Sequence, residues 1–76
     1  MNTREQAVAR RYQEQGWRVL RGGAPDFVFI KEEGGEVSEV IMVEVKSNGA
    51  QLTYEQAVWR RVAELYGIPF KIEVEA

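Results

Sequence analysis

The 76-residue sequence predicts an α/β fold with the element order αβββαβ, in which a mixed four-stranded sheet is flanked by two helices. Three observations predict it. Two stretches with apolar residues at helical spacing each open on a threonine with a glutamine three residues on, Thr3 with Gln6 and Thr53 with Gln56, which is the pattern of a capping box. Between them lie three β-rich segments divided by glycine-containing breaks. After the second helix comes one alternating segment, Phe70 to Glu75, which a helical crossover brings back to the sheet.

The first helix is expected from about Thr3 to Gln15, with Ala7, Val8, Ala9 and Tyr12 as its apolar stripe and Gly16 ending it. Trp17 to Arg21 alternates as a short strand does, with Trp17, Val19 and Arg21 on one side and Arg18 and Leu20 on the other. Gly22-Gly23-Ala24-Pro25 breaks that strand. Asp26 to Lys31 is aromatic and β-branched, a second strand apolar on both faces. Glu32 to Glu36 reads as a solvated hairpin loop. Glu39 to Lys46 is the third strand, central because both faces stay apolar until its end. Ser47 to Ala50 is a loop. Thr53 caps the second helix, whose stripe is Ala57, Val58, Val62, Leu65 and Tyr66, until Gly67 ends it and Pro69 blocks continuation. The crossover makes strands three and four parallel, with the last one half-buried near an edge.

A chain of this length reads as one domain with a marginal core, since a domain so small buries only about 60% of the surface its unfolded form exposes. With no cysteine and no histidine, disulfides, thiolate or imidazole metal sites, Ser-His-Asp triads and Cys-His pairs are all excluded. The remaining hard chemistry belongs to carboxylates, lysine, tyrosine, amides and backbone, and oxygen ligands suit magnesium or manganese rather than zinc. The composition, 45% hydrophobic and 29% charged, is that of a soluble globular chain. Met1 to Gln15 has no apolar run of a signal peptide, and nothing approaches the roughly 20 apolar residues that cross a bilayer, so the expectation is a cytoplasmic protein with no membrane partner. The net charge of −2 argues against a simple basic nucleic-acid surface, although Arg4, Arg10, Arg11, Arg18, Arg21, Arg60 and Arg61 cluster along the chain.

Glu44 and Lys46 stand two apart on one strand, so both side chains point to the same face while Val45 points to the other. Asp26 opens the preceding strand. If a hairpin joins the two, the start of one faces the end of the other, and two carboxylates converge with an amine at one end of the sheet. Two carboxylates can hold a hard divalent cation, which polarises a phosphoryl oxygen and acidifies water, while the lysine stabilises developing negative charge. Each motif alone is commonplace, since an acid and a lysine often end a buried strand and Pro-Asp often makes a turn. Their convergence is what carries information.

Gly23-Ala24-Pro25-Asp26 followed by Glu44-Val45-Lys46, with the 17 residues Phe27 to Val43 forming one hairpin between them, resembles the signature of the PD-(D/E)xK nucleases. The predicted αβββαβ order matches their minimal restriction-endonuclease-like core over nearly the whole chain. Leu52-Thr53-Tyr54-Glu55-Gln56-Ala57-Val58-Trp59, with Leu65-Tyr66-Gly67-Ile68 after it, is similar to the stand-alone VRR-NUC group. The resemblance implies that Asp26 and Glu44 bind Mg2+ or Mn2+ with the Val45 carbonyl as a further ligand, and that Lys46 is the catalytic lysine. It places Gln56 near the metal, holding the lysine or the scissile phosphate, and Glu5 as an additional acidic ligand through water or a second metal. Gln56 also has a sufficient role in its capping box, and Glu5 in complementing the helix dipole. Tyr12, Trp17 and Trp59 could stack on bases, against the plainer reading of core packing or a subunit interface. The chain is shorter than typical members and has no extra loops for substrate discrimination.

The function these features imply is metal-dependent endonucleolytic cleavage of DNA, with branched or junction DNA preferred and a homodimer as the working form. Two alternatives stand beside it: a catalytically inactive nucleic-acid-binding or accessory module with the same fold, and a protein-interaction domain with no nucleic-acid role.

Overall fold

The computed structural model describes residues 2–23 and 25–75. It contains two helices and one four-stranded mixed sheet, in the order α1 (Thr3–Glu14), β1 (Arg18–Gly22), β2 (Phe27–Glu33), β3 (Glu36–Lys46), α2 (Tyr54–Leu65) and β4 (Phe70–Val74). The expected αβββαβ fold is therefore present. The strands lie in sequence order across the sheet, with β1–β2 and β2–β3 antiparallel and β3–β4 parallel. Ala24, within the expected break before Pro25, lies outside the described residues.

Each helix is bounded by side chains that satisfy its end. The cap of α1 falls one residue earlier than the sequence pattern suggests: Asn2 Oδ1 accepts the Glu5 N–H at 2.9 Å, and Glu5 Oε2 accepts the Asn2 N–H at 3.4 Å. Asparagine outranks threonine as an N-cap, so Asn2 with Glu5 displaces Thr3 with Gln6. The cap of α2 is the one expected, with the Gln56 N–H on Thr53 Oγ1 at 3.2 Å and the Thr53 N–H on Gln56 Oε1 at 2.9 Å. Both helices stop in the same way. Trp17 N–H reaches back to Tyr12 O and Gly16 N–H to Gln13 O; Ile68 N–H reaches Ala63 O and Gly67 N–H reaches Glu64 O. These are paired Schellman bonds, and the glycine of each sits at positive φ, 92° and 69°.

The sheet separates two hydrophobic clusters. On one face α1 lays Val8, Ala9 and Tyr12 against Phe27, Phe29, Ile41 and Val43, with Trp17, Val19 and Val45 at the margin. Tyr12 stacks on Phe29 with ring centroids 4.6 Å apart, and Phe29 stacks on Phe27 at 5.0 Å. On the other face α2 covers a smaller cluster, Val28, Met42 and Ala63, with Val40, Trp59, Ile68 and Phe70 against it.

The structure corrects four local expectations. The β2–β3 loop is the two-residue Gly34-Gly35 turn, both at positive φ, so Glu32, Glu33 and Glu36 are strand residues; consecutive glycines suit the tight turn whose twist matches the flanking strands. The alternation of β1 is broken between Val19 and Arg21, which leaves Leu20 as the extra residue of a bulge, 58% exposed. Leu65 and Tyr66 are exposed rather than part of the α2 packing face, because the small sheet face below is already filled by Trp59 and Ala63. In β4, at the sheet edge as expected, Ile72 and Val74 are exposed rather than half-buried, because α2 covers only the Phe70 end of that face.

The edge strand β4 is held from the α1 side by charge. Tyr12 donates its hydroxyl to Glu73 Oε1 at 3.0 Å, and Arg11 pairs with Glu73 at 3.3 Å and with Glu75. Burial, reinforced by the Glu73 carboxylate, pushes the Tyr12 phenol up to about 12, so the hydroxyl stays a donor. Tyr12→Phe keeps the ring stack and removes only this bond. It is expected to cost about 1–2 kcal/mol in urea unfolding; a variant as stable as the wild type would show that Glu73 contributes nothing through Tyr12.

Candidate active site

The antiparallel register pairs Phe27 with Val43 and Val28 with Met42, so one step further Asp26 stands opposite Glu44. Alternation places Glu44 on the α2 side of the sheet with Met42, and Val45 on the α1 side with Val43. At this point the β2–β3 ladder ends and side chains take over its hydrogen bonds. The Asp26 N–H donates to Glu44 Oε1 at 3.1 Å, and the Val45 N–H donates to Asp26 Oδ2 at 2.8 Å. Each carboxylate is thereby fixed by one backbone amide of the other strand's segment. The Glu44 side chain is fully buried, at 1% exposure, and its second oxygen, Oε2, has no hydrogen-bond partner among the described residues. A buried carboxylate oxygen without a donor is costly, and a site that retains one calls for an explanation such as a bound ion. The residues present thus fit a divalent cation: two adjacent carboxylates, one with a spare buried oxygen.

The family model described as the VRR-NUC domain matches residues 1–73. The chain belongs to this family of PD-(D/E)xK-type nuclease domains. No curated protein and no solved structure matches it.

In this VRR-NUC domain the expected site residues are partly brought together. Asp26 and Glu44 are in contact, and Val45 is bonded to Asp26. Lys46, half-buried at the end of β3, lies close enough for its charge to oppose protonation of Glu44. Gln56 spends its carboxamide oxygen on the Thr53 cap. Glu5 is held in the α1 cap, and among the described residues no three carboxylates gather to hold one ion directly. Of the aromatics, Tyr12 is buried in the core, and Trp17 and Trp59 pack against the two clusters, with Lys31 Nζ 4.6 Å from the Trp17 ring centre. Arg11 and Arg18 are engaged by Glu73, Glu75 and Glu32, while Arg4, Arg10, Arg60 and Arg61 are exposed. Among the described residues Glu44 is the one buried charged side chain, a feature that its position one residue past the all-apolar run Val40–Val43 signals.

Burial, reinforced by the neighbouring Asp26 carboxylate and only partly offset by the Asp26 N–H and Lys46, pushes the Glu44 carboxyl from 4.5 up to about 7. Between those two pH values the folded VRR-NUC domain holds a proton that the unfolded chain has released. Its stability therefore falls as pH rises through this window and levels off above it. Urea unfolding in EDTA from pH 4.5 to 8 should show that fall in the wild type and not in Glu44→Gln. The variant should be the more stable by about 1–3 kcal/mol at pH 8, the scale of relieving a buried unsatisfied group. Parallel curves for the two proteins would refute the assignment.

Proposed function

We propose that this chain is a divalent-metal-dependent endonuclease that hydrolyses DNA phosphodiester bonds. The observation that carries the reading is the buried, partnerless Glu44 Oε2 beside Asp26. In this reading Asp26, Glu44 and the Val45 carbonyl hold Mg2+ or Mn2+. When bound, such a cation polarises a phosphoryl oxygen and acidifies water. Asp26 and Glu44 are oriented before substrate arrives, because each already accepts a backbone N–H. Lys46 supplies a positive charge next to them, where negative charge develops on the phosphoryl group. Gln56, whose oxygen caps α2, would have its NH2 group left to hold Lys46 or the scissile phosphate. Glu5, held in the α1 cap, would add its carboxylate through water or a second metal.

The site lies where the β2–β3 ladder ends, with Glu44 buried and Asp26 and Lys46 half-buried. Two clefts of about 410 and 370 Å3 lie elsewhere, one beside Arg4 and Glu75 and one beside Trp17 and Lys71, and neither includes Asp26, Glu44 or Lys46 in its walls. Membership of a nuclease-domain family supports a nucleic acid as the substrate. Branched DNA cut by a homodimer follows as the specific form: two sites on a two-fold axis match two strands to be cut. The small core, and the exposed Ile72 and Val74 on the edge strand β4, support a second copy.

Two measurements test this reading. Wild type with Mg2+ or Mn2+ should cut a panel of four-way junction, fork, flap and linear DNA, junctions fastest; Glu44→Gln and Lys46→Ala should each reduce the rate by at least about a hundredfold while remaining folded by circular dichroism. Binding without cutting under every condition would favour an inactive module instead. Sedimentation velocity should return a dimer for the wild type and a monomer for Ile72→Asn, and a monomeric wild type would remove the two-fold argument.

A further inference from the structure

On the α1 side of the sheet a cleft of about 370 Å3 opens between Trp17 and Lys71, with Ile41, Pro69 and Glu39 among its walls. Its volume falls in the range of small-ligand sites, about 300–1,000 Å3. It stands apart from the candidate active site. Trp17 and Ile41 pack with the α1-side cluster, whereas Glu44 points to the α2 side with Met42. Glu39 and Ile41 also precede Glu44 along β3, by roughly 10–16 Å at about 3.3 Å per residue.

The charges around this cleft are not spent on one another. Lys31 and Glu39 stand directly opposite on β2 and β3, an arrangement that favours an acid–lysine pair. Lys31 instead holds its Nζ 4.6 Å from the centre of the Trp17 ring. Among the described residues Lys31, Lys71 and Glu39 form no salt bridge, unlike Arg11 and Arg18, which carboxylates within the fold engage. An aromatic and aliphatic wall, two uncommitted cations and one acceptor match the parts of a nucleotide. Bases pack on aromatic side chains, lysines take phosphate, and a glutamate accepts the N–H groups of a base edge. A purely apolar partner would leave all three charges unanswered.

We propose that the cleft between Trp17 and Lys71 is a second nucleic-acid subsite that takes an unpaired nucleotide of single-stranded DNA, with its base against Trp17, Ile41 and Pro69 and its phosphates at Lys71 and Lys31. The inference rests on the reading that the chain acts on DNA, and not on the metal site. It gives the domain a hold on unpaired DNA away from the bond to be cut.

The test reads binding in EDTA, with oligo(dC) of about eight nucleotides as the probe. Tryptophan emission should be quenched on titration in the wild type and equally in Trp59→Phe, because Trp17 is the indole that meets the base. Trp17→Leu keeps an apolar side chain; it should lose the quenching and bind about fivefold to a hundredfold more weakly, the range for removing a stacking side chain. Lys71→Gln, at an exposed position, should show a plot of log affinity against log salt that is shallower by about 0.7, one phosphate contact on a single strand. No quenching in the wild type would overturn the inference, as would quenching that survives in Trp17→Leu or a salt dependence unchanged in Lys71→Gln. Should Trp17→Leu not fold, Trp59→Phe and Lys71→Gln decide the matter. Trp17 emission that responds to protein concentration and not to oligonucleotide would put a second copy in the cleft and also overturn it. Cleavage in Mg2+ or Mn2+ is scored separately. A wild type that cuts without quenching keeps the nuclease reading and loses the subsite; one that is quenched but never cuts keeps the subsite and loses the metal-dependent activity.

Discussion

The end of the β2–β3 ladder is a crossed exchange in which backbone amides bond carboxylates: Asp26 N–H to Glu44, and Val45 N–H to Asp26. Everything the chain can do at its rim depends on this exchange. It lets two acidic groups stand side by side without closing on a lysine or arginine, and it leaves one oxygen of the buried Glu44 uncommitted. Burying a carboxylate in this way opposes folding. The site is a locally unfavourable arrangement, retained because the sheet around it is strongly determined.

The rest of the fold supplies that determination unevenly. On the α1 face, three stacked aromatics and a row of β-branched residues hold β2 and β3 in register, and a one-residue slip would turn Phe27 and Phe29 out of that core. On the α2 face, where Glu44 points, the buried cluster is smaller and Leu65 and Tyr66 lie in solvent. The side with the larger core and the side that bears the candidate site are therefore different sides of the same sheet. β4 joins them: it pairs with the site strand β3 along Met42–Lys46 and is anchored through Glu73 and Glu75 to Tyr12 and Arg11 on the far face.

That Asp26 comes near Glu44 was legible in the sequence because a hairpin between them brings the start of one strand beside the end of the other. Their exact pairing was not: counting back from the Gly34-Gly35 turn would set Asp26 opposite Val43, and the register shift between Lys31 and Glu32, with Ser38 as the extra residue, moves Glu44 into that place. The two helix ends were legible for a similar reason, since Gly16 and Gly67 must adopt positive φ and each is followed by an apolar residue that packs back on the helix. Less accessible were features set by area and by competition. An apolar stripe shows which side of α2 faces inward but not how much sheet lies beneath it, so Leu65 and Tyr66 were assigned to a core too small to hold them. Two overlapping capping pairs at Asn2–Glu5 and Thr3–Gln6 compete for one helix start, and the winner is decided by their relative strength. The bulge at Leu20 has no marker at all in an otherwise regular alternation.

An acidic chain that acts on a polyanion needs its charge arranged by depth as well as by number. Arg11 and Arg18, two of the arginines that suggested a basic surface, are consumed by acidic partners within the fold. What offsets repulsion at the rim is the state of Glu44. Without a cation, its carboxyl retains a proton up to about pH 7, so near neutrality the pair carries less negative charge than two free carboxylates. In the proposed metal site a cation would compete with that proton for the Glu44 carboxylate. Under that proposal cation affinity would depend on pH through Glu44, and the pair would attract phosphate once the cation had replaced the proton. The burial that makes Glu44 expensive for folding is the property that makes this exchange possible.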